Sequence, residues 1–309
     1  MRDQAGGTGF EILAVGEILW DLLPDGRQLG GAPANFAYHA HALGGHVRLI
    51  SRVGHDPLGF EILDRLRALG VSTDFVATDT AAPTGTVTVR LSGDGQPQFT
   101  IHEDVAWDRI SAGKDLLELA ARAQAVCFGS LAQRREPSRA SIRRLVAATP
   151  AEALRVFDIN IRQHFYSPEL IEASLRLANV LKLNDQELTL LASIFDLRGD
   201  TREQVATLAR RFGLDTVALT RGTAGSLLMS EGVWSEHLGL PAKVADTVGA
   251  GDSFTAAMTL GLLAGWPLDH INRHANEVAA YVCSQPGATP KLPEVLRGRF
   301  AQCDAQGHD

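Results

Sequence analysis

The run Asp246-Thr-Val-Gly-Ala-Gly-Asp252-Ser-Phe254 sets a bare-backbone loop directly before a carboxylate and an apolar helix. Gly249 and Gly251 open backbone conformations closed to other residues, so successive N–H groups can converge on one point at a helix start. Such a start carries roughly half an elementary positive charge, which stabilises the spreading negative charge of a transferring phosphoryl group. Asp252 beside that anion would be repelled unless it has a task of its own, and accepting the proton of an attacking hydroxyl is the chemistry that suits it. A bare Gly-x-Gly before a helix is also a common tight turn, so the loop alone admits both readings.

Upstream, Gly30-Gly-Ala-Pro-Ala-Asn35-Phe36 is a second glycine-rich element leading into a helix, with a neutral amide in place of the acid. Gly30 and Gly31 permit close backbone approach, Pro33 suits a first helical turn, and Asn35 offers donor and acceptor to hydroxyls, which fits a polyol. Asp21 lies between Trp20 and Leu22 in an otherwise apolar strand, where an acid needs partners. Sugar hydroxyls or a neighbouring turn would both supply them. No Gly-x-x-x-x-Gly-Lys-Ser/Thr run occurs, and Gly249-Ala-Gly-Asp-Ser-Phe254 ends in Phe where the dinucleotide fingerprint needs a small residue. A nucleotide would be held by other means. Thr220-Arg-Gly-Thr-Ala-Gly225 follows a strand and offers backbone and hydroxyl donors to phosphates, or is simply a turn. Asn184-Asp-Gln-Glu187 opens a helix either as a plain cap or as a holder of water around Mg²⁺, which keeps several waters and leans on phosphates and one or two acids.

The elements that must position these groups follow from periodicity. Short β-rich runs at Ile12 to Val15, His46 to Val53, Ala125 to Phe128, Leu154 to Asp158, Val180 to Leu183 and Thr216 to Thr220 alternate with segments of helical period. Those segments include Ala32 to Leu43, Pro57 to Leu69, Glu136 to Ala148, Thr201 to Phe212 and Ser253 to Ala264. The alternation predicts an α/β fold, a parallel sheet with helices on both faces. Thr84 to Leu91 and Gln96 to His102 break the pattern with period-two alternation around a Gly-rich turn, and Ile18 to Gly26 reads as strand then turn. This is either an edge hairpin of the main sheet or a small separate sheet. In the second case Val87, Val89 and Leu91 share an apolar face that a ligand or a second subunit must cover.

The bulk properties exclude several classes. The chain has 309 residues and a formal net charge of -7, which argues against a nucleic-acid partner, and its one local basic cluster, Arg134 to Arg144, reads as a solvated helix face. No apolar run approaches the ~20 residues of a membrane helix, so no membrane association and a cytoplasmic location are expected. Three cysteines and scattered histidines suggest neither disulfides nor zinc, and Cys127 reads as a small buried hydrophobe.

Taken together, Gly30 to Asn35 and Asp246 to Phe254 resemble the two signatures of the phosphofructokinase-B, or ribokinase-like, carbohydrate kinases. The resemblance runs from about Ile12 to Pro293 in the correct order and includes Phe157-Asp-Ile-Asn-Ile-Arg162, similar to the fructokinase branch. It implies a single three-layer α/β/α kinase domain spanning 1–309, with a β lid from about 17–30 and 84–108 that also serves as a homodimer clasp. It further implies transfer of the γ-phosphoryl of ATP to a sugar hydroxyl, with Mg²⁺ and K⁺ as cofactors. By motif, Asp252 becomes the base and Gly249, Ala250 and Gly251 the anion hole. Asp21, Gly30, Gly31, Asn35 and Arg162 become sugar contacts, and His102 of the lid is a further candidate beside Glu103 and Asp104. Asn184, Glu187, Thr220, Gly222, Gly225 and Asn276 match nucleotide-side positions, Glu187 holding Mg²⁺ through water. Asp246, Val248 and Gly287 mark a monovalent cation site. Fructose is the expected acceptor. A sugar acid such as 2-keto-3-deoxygluconate and a non-catalytic sugar-binding regulator are the rival readings.

Overall fold

Side chains that alternate along a strand sort themselves between the two faces of a sheet, and here both faces are apolar. Residues 9–24, 26–91, 97–241 and 243–297 are described by a computed structural model. Its strands are β1 (Glu11–Val15), β2 (Leu19–Leu23), β3 (Gly26–Gly30), β4 (His46–Gly54), β5 (Val76–Asp79), β6 (Gly85–Leu91), β7 (Pro97–Ile101), β8 (Ala125–Phe128), β9 (Leu154–Asp158), β10 (Val180–Asn184), β11 (Thr216–Thr220), β12 (Ser226–Ser230) and β13 (Val233–His237). Its helices are α1 (Ala32–Ala42), α2 (Pro57–Ala68), α3 (Lys114–Ala120), α4 (Ser138–Ala148), α5 (Pro168–Leu177), α6 (Asp185–Phe195), α7 (Thr201–Phe212), α8 (Ala250–Leu263), α9 (Leu268–Cys283) and α10 (Glu294–Arg297).

The main sheet has the order β13-β12-β11-β10-β9-β8-β1-β4-β5. It is parallel except for β12 and β13, which add an antiparallel edge that the sequence reading does not contain. Leu13 and Val15 of β1 point into one apolar layer with Val126, Phe128, Phe157, Leu181 and Leu183, covered by helices α3 to α7. Ile12 and Ala14 point into the other, with Cys127, Val156 and Val180, covered by α1, α2, α8 and α9. The three-layer α/β/α arrangement is therefore read directly from which neighbours share a face.

A second sheet, ordered β3-β2-β6-β7, stands apart from the main one. Its β2 and β6 run parallel, flanked by antiparallel β3 and β7. Strand β3 begins where the strand and turn expected at Ile18 to Gly26 end, within the span 17–30 expected for the lid. The apolar face of the hairpin corrects an expectation. Val87 and Val89 are buried within the chain beside Leu19, Ile101, Val105 and Trp107, so neither a ligand nor a second subunit is required to cover them. The side chain of Leu91 and the turn at 92–96 lie outside the described residues.

Arg134 is a further correction. It is not on a solvated helix face but buried, forming a two-pronged bond to Asp108 at 2.7 and 2.8 Å and lying 3.9 Å from the Trp107 ring centroid. The same guanidinium faces the Phe165 ring at 4.8 Å and donates to the His102 carbonyl at 2.7 Å. It thus ties the segment after β7 to the loop after β9, and the buried charge is tolerated because Nε and Nη2 are paired with Asp108 and the His102 carbonyl, although Nη1 has no partner.

Candidate active site at the carboxyl ends of the strands

In open α/β sheets ligands collect at the carboxyl ends of the strands. Here Glu17 follows β1, Asp158 closes β9 with Arg162 just beyond it, Asn184 closes β10 and Thr220 closes β11. Helix α8 brings the Asp246 to Phe254 run to this crest. It begins at Ala250 rather than at Ser253, because Gly249 caps it in a left-handed conformation with φ 78°. A side chain at Gly249 would also come within 2.5 Å of the Ala288 carbonyl oxygen. Ala250, Gly251 and Asp252 therefore form the first turn of α8; the Ala250 N–H makes only a long bond to the Thr247 carbonyl at 3.4 Å, and the Gly251 and Asp252 N–H groups precede the first bond of the helix, from Ser253 to the Gly249 carbonyl. Gly251 needs no unusual φ. It is constrained by space, since a Cβ there would lie 2.9 Å from the Lys182 Nζ.

The two glycine-rich elements meet at one hydrogen bond: Asn35 Nδ2 donates to Asp252 Oδ2 at 2.8 Å. Gly31 caps α1 with φ 107° and lies against the Glu17 backbone, which brings Asn35 to this place. One of the two Asn35 donors is thus spent on Asp252, while its Oδ1 is buried without a partner. Burial, reinforced by the charge of Asp158, pushes Asp252 up to about 6, against the opposing effects of Asn35, Lys182 and Arg162. Burial also pushes Asp21 up to about 6 and Glu17 up to about 7. The exposed Arg162 acts favourably on all three carboxylates, so the motif brings Asp21, Asn35, Arg162 and Asp252 into one neighbourhood. Gly30 lies against the Asp21 carboxylate. His102 sits on the face of the small sheet, its Nε2 2.9 Å from Thr88 Oγ1.

Asn184 and Glu187 form a reciprocal cap on α6: Glu187 N–H donates to Asn184 Oδ1 at 2.9 Å, and Asn184 N–H donates to Glu187 Oε2 at 2.8 Å. The cap is not their whole part, because Glu187 Oε1 also accepts from the Ile161 N–H at 2.9 Å, next to Arg162. With both oxygens engaged and the residue buried, this carboxylate suits a cation only through water. Thr220 donates its hydroxyl to the Leu183 carbonyl at 3.3 Å, and Gly222 and Gly225, with φ 54° and 81°, turn the chain from β11 into β12. Asn276 differs from the expected ligand posture. Its Nδ2 is committed to Ser226 Oγ at 2.6 Å and to Asn272, inside the protein rather than toward an open cleft. Asp246 draws the third group together, accepting from the Val248 N–H at 3.0 Å and the Gly287 N–H at 3.2 Å.

Four residues of the neighbourhood were absent from the sequence reading. Lys182 and Asp158 form a buried pair at 3.1 Å, and Thr255 of α8 donates to the other Asp158 oxygen at 2.8 Å. Burial alone would lower the Lys182 pKa, but the charges of Asp158, Glu187 and Asp252 outweigh it and hold the ammonium above its ordinary value. Glu17 is the fourth, buried with Oε2 unpartnered. The available signals were a lysine inside the apolar strand Val180-Leu-Lys-Leu183 and an acid directly after β1.

The chain is similar to known carbohydrate kinases. Residues 26–295 match the pfkB family of carbohydrate kinases. A fructokinase of Klebsiella pneumoniae is 33% identical over 293 residues, covering 91% of this chain and 94% of its own. A solved sugar kinase of Pyrococcus horikoshii in complex with ATP is 29% identical with TM-score 0.77, covering 94% of this chain and 99% of that one. A fructokinase of Xylella fastidiosa shares the fold, with TM-score 0.81 at 22% identity over 96% of this chain and 99% of its own. The chain belongs to the pfkB family of carbohydrate kinases, and it is a sugar kinase.

Proposed function

We propose that this kinase transfers the γ-phosphoryl group of ATP to a hydroxyl of fructose. The observation that carries the reading is the 2.8 Å bond between Asn35 and Asp252, which joins the polyol-binding element to the phosphate-binding element. Asp21, Gly30, Gly31 and Asn35 hold sugar hydroxyls, with His102 and Arg162 at the rim, and the small sheet closes over them as a lid to exclude water. Asp252 takes the proton of the attacking hydroxyl as its oxygen bonds to phosphorus and the bond to the ADP oxygen breaks. The N–H groups of Gly249, Ala250 and Gly251 stabilise the charge spreading over the phosphoryl oxygens. Thr220, Gly222, Gly225 and Asn276 lie on the nucleotide side, Asn276 as a support for β12 in view of its internal bonds.

The oxygen donors present fit the expected cations. Asn184 and Glu187 would hold Mg²⁺ through water, and bound Mg²⁺ neutralises phosphate charge. Asp246 with carbonyls near Val248 and Gly287 offers only hard oxygen atoms, suited to K⁺. Three carboxylates, Glu17, Asp21 and Asp252, face the single guanidinium of Arg162, an arrangement that favours a neutral sugar over a sugar acid. A coupled ADP-release assay over sugars and sugar acids, with Mg²⁺ and with or without K⁺, should give the highest kcat/KM with fructose. A higher value for 2-keto-3-deoxygluconate would overturn the assignment. The homodimer remains a proposal resting on the exposed Phe99 of β7, since the apolar face of the hairpin is already covered.

A pH dependence follows from the shifted carboxylates. The base must be ionised to accept a proton, so kcat/KM should fall as pH drops through about 6, the region to which burial moves both Asp252 and Asp21. A profile flat between about pH 5 and about pH 8 would exclude Asp252 as the base.

A further inference from the structure

Helix α8 rests its first turn on a charge that the mechanism above does not use. β9 and β10 are parallel neighbours, with Val156 opposite Val180 and Asp158 opposite Lys182. Both Val156 and Val180 belong to the apolar layer under α8, and the two-residue period places Asp158 and Lys182 on that same face at the carboxyl ends of the strands. Lys182 is 6% exposed and Asp158 5% exposed, so an ion pair is buried directly beneath the glycine loop. The Lys182 Nζ is close enough to Gly251 that a Cβ there would lie 2.9 Å away. Asp158 meanwhile grips α8 one turn further on, through Thr255 Oγ1 at 2.8 Å.

A buried ion pair is a poor stabiliser, because desolvation offsets most of the attraction and an apolar pair of similar size often serves as well. The position therefore calls for another explanation. Asp158 uses one oxygen on Lys182 and the other on Thr255. The ammonium is the member that lies against Gly251, Asp158 is the member bonded to Thr255, and the charges of both reach Asp252. An ammonium in a water-excluded place acts at far greater strength than one in solvent, and it costs no reorganisation as charge develops.

We propose that Lys182 is a positioning residue for phosphoryl transfer, its buried ammonium fixing the first turn of α8 and reinforcing the anion hole from below. The proposal deepens the reading that the Gly249 to Asp252 turn is the transfer site. Lys182 touches neither substrate in this scheme; it acts through Gly251 and Asp252.

The test compares Lys182→Met, Asp158→Asn and the double variant with the wild type in the ADP-release assay, alongside thermal unfolding. Lys182→Met should lower kcat about a hundredfold, the order seen when one preorganised electrostatic contact is lost, with KM for ATP and for sugar within about threefold. It also strands the Asp158 charge, so the melting temperature should fall. The double variant removes that stranded charge and should recover stability without recovering kcat. A double variant with wild-type kcat would overturn the proposal, leaving Lys182 as a mere counter-ion. A rise in KM at unchanged kcat would overturn it equally. If the double variant does not fold, Lys182 is structural and the proposal fails. Asp252→Asn separates the two levels: if it keeps its turnover the placement of the site is wrong, whereas an inactive Asp252→Asn beside a fully active double variant disposes only of the role of Lys182.

Discussion

Asp252→Asn should fold, keep its affinity for both substrates, and lose about 10² to 10⁴ in kcat, because the amide preserves shape while removing the proton acceptor. The geometry makes the variant unusually clean. Asn35 donates to Oδ2, and an amide oxygen in that position accepts the same bond. Lys182, Asp158 and Thr255 hold one another without Asp252, so the floor of the site does not depend on the substituted group. Stability should move in the opposite direction to activity. Burial raises Asp252 from 3.8 to about 6, so the folded state binds its proton more tightly than the unfolded chain does. Stability is thus lost as pH rises from the unfolded value through about 6, and at neutral pH the ionised carboxylate opposes folding. Replacing it by a neutral amide should raise the melting temperature, with a gain on the order of 1 kcal/mol. Kinetic assays and thermal unfolding at about pH 7.5 measure both. Near wild-type turnover would remove Asp252 from the chemistry, and a lowered melting temperature would show that its carboxylate is structural.

What the sequence disclosed and what it withheld have distinct physical origins. β1, β8, β9, β10 and β11 were legible because a strand covered on both faces is a nearly continuous apolar run, and such runs depend little on tertiary context. β12 and β13 were not, since Ser226–Ser230 follows directly on a Gly-rich turn that reads as loop, and Val233–His237, largely exposed at the sheet edge, has no continuous apolar run. The start of α8 was placed too late for a related reason. Glycine suggests loop, yet Gly249 in its left-handed conformation is the residue that lets the helix begin at Ala250. The carboxylates and amides of the two glycine-rich elements could be named from local spacing. Lys182, Glu17 and the buried Arg134 could not, because each takes its meaning from partners distant in sequence: Asp158 for Lys182, Asp252 and Arg162 for Glu17, Asp108 and Trp107 for Arg134. Isolated Lys, Glu and Arg read as surface residues until a topology places them.

Those long-range placements set up the second large effect, at Gly251. The usual argument for glycine is conformational, and at Gly249 it holds: φ is 78°, and a methyl group would press on Ala288. Gly249→Ala should therefore cost stability, about 1–3 kcal/mol for the forced backbone and more for the clash. Activity lost with it would be hard to separate from damage to the fold. Gly251 is different. It lies inside α8 without a positive φ, where alanine is the better helix former by about 1 kcal/mol. The single close contact its methyl would make is with the Lys182 Nζ, the end of a flexible side chain. Gly251→Ala should thus leave the melting temperature nearly unchanged while pushing the ammonium off its position and narrowing the approach to the first-turn N–H groups. The expected outcome is a drop of about 10² to 10³ in kcat, comparable to losing one oxyanion donor, in a protein as stable as the wild type. Steady-state kinetics beside thermal unfolding decides the matter. A stable Gly251→Ala with wild-type kcat would show that neither the space at Gly251 nor the charge beneath it matters to transfer, whereas a stable and slow one locates the catalytic cost in a displacement with no counterpart in the folding energy.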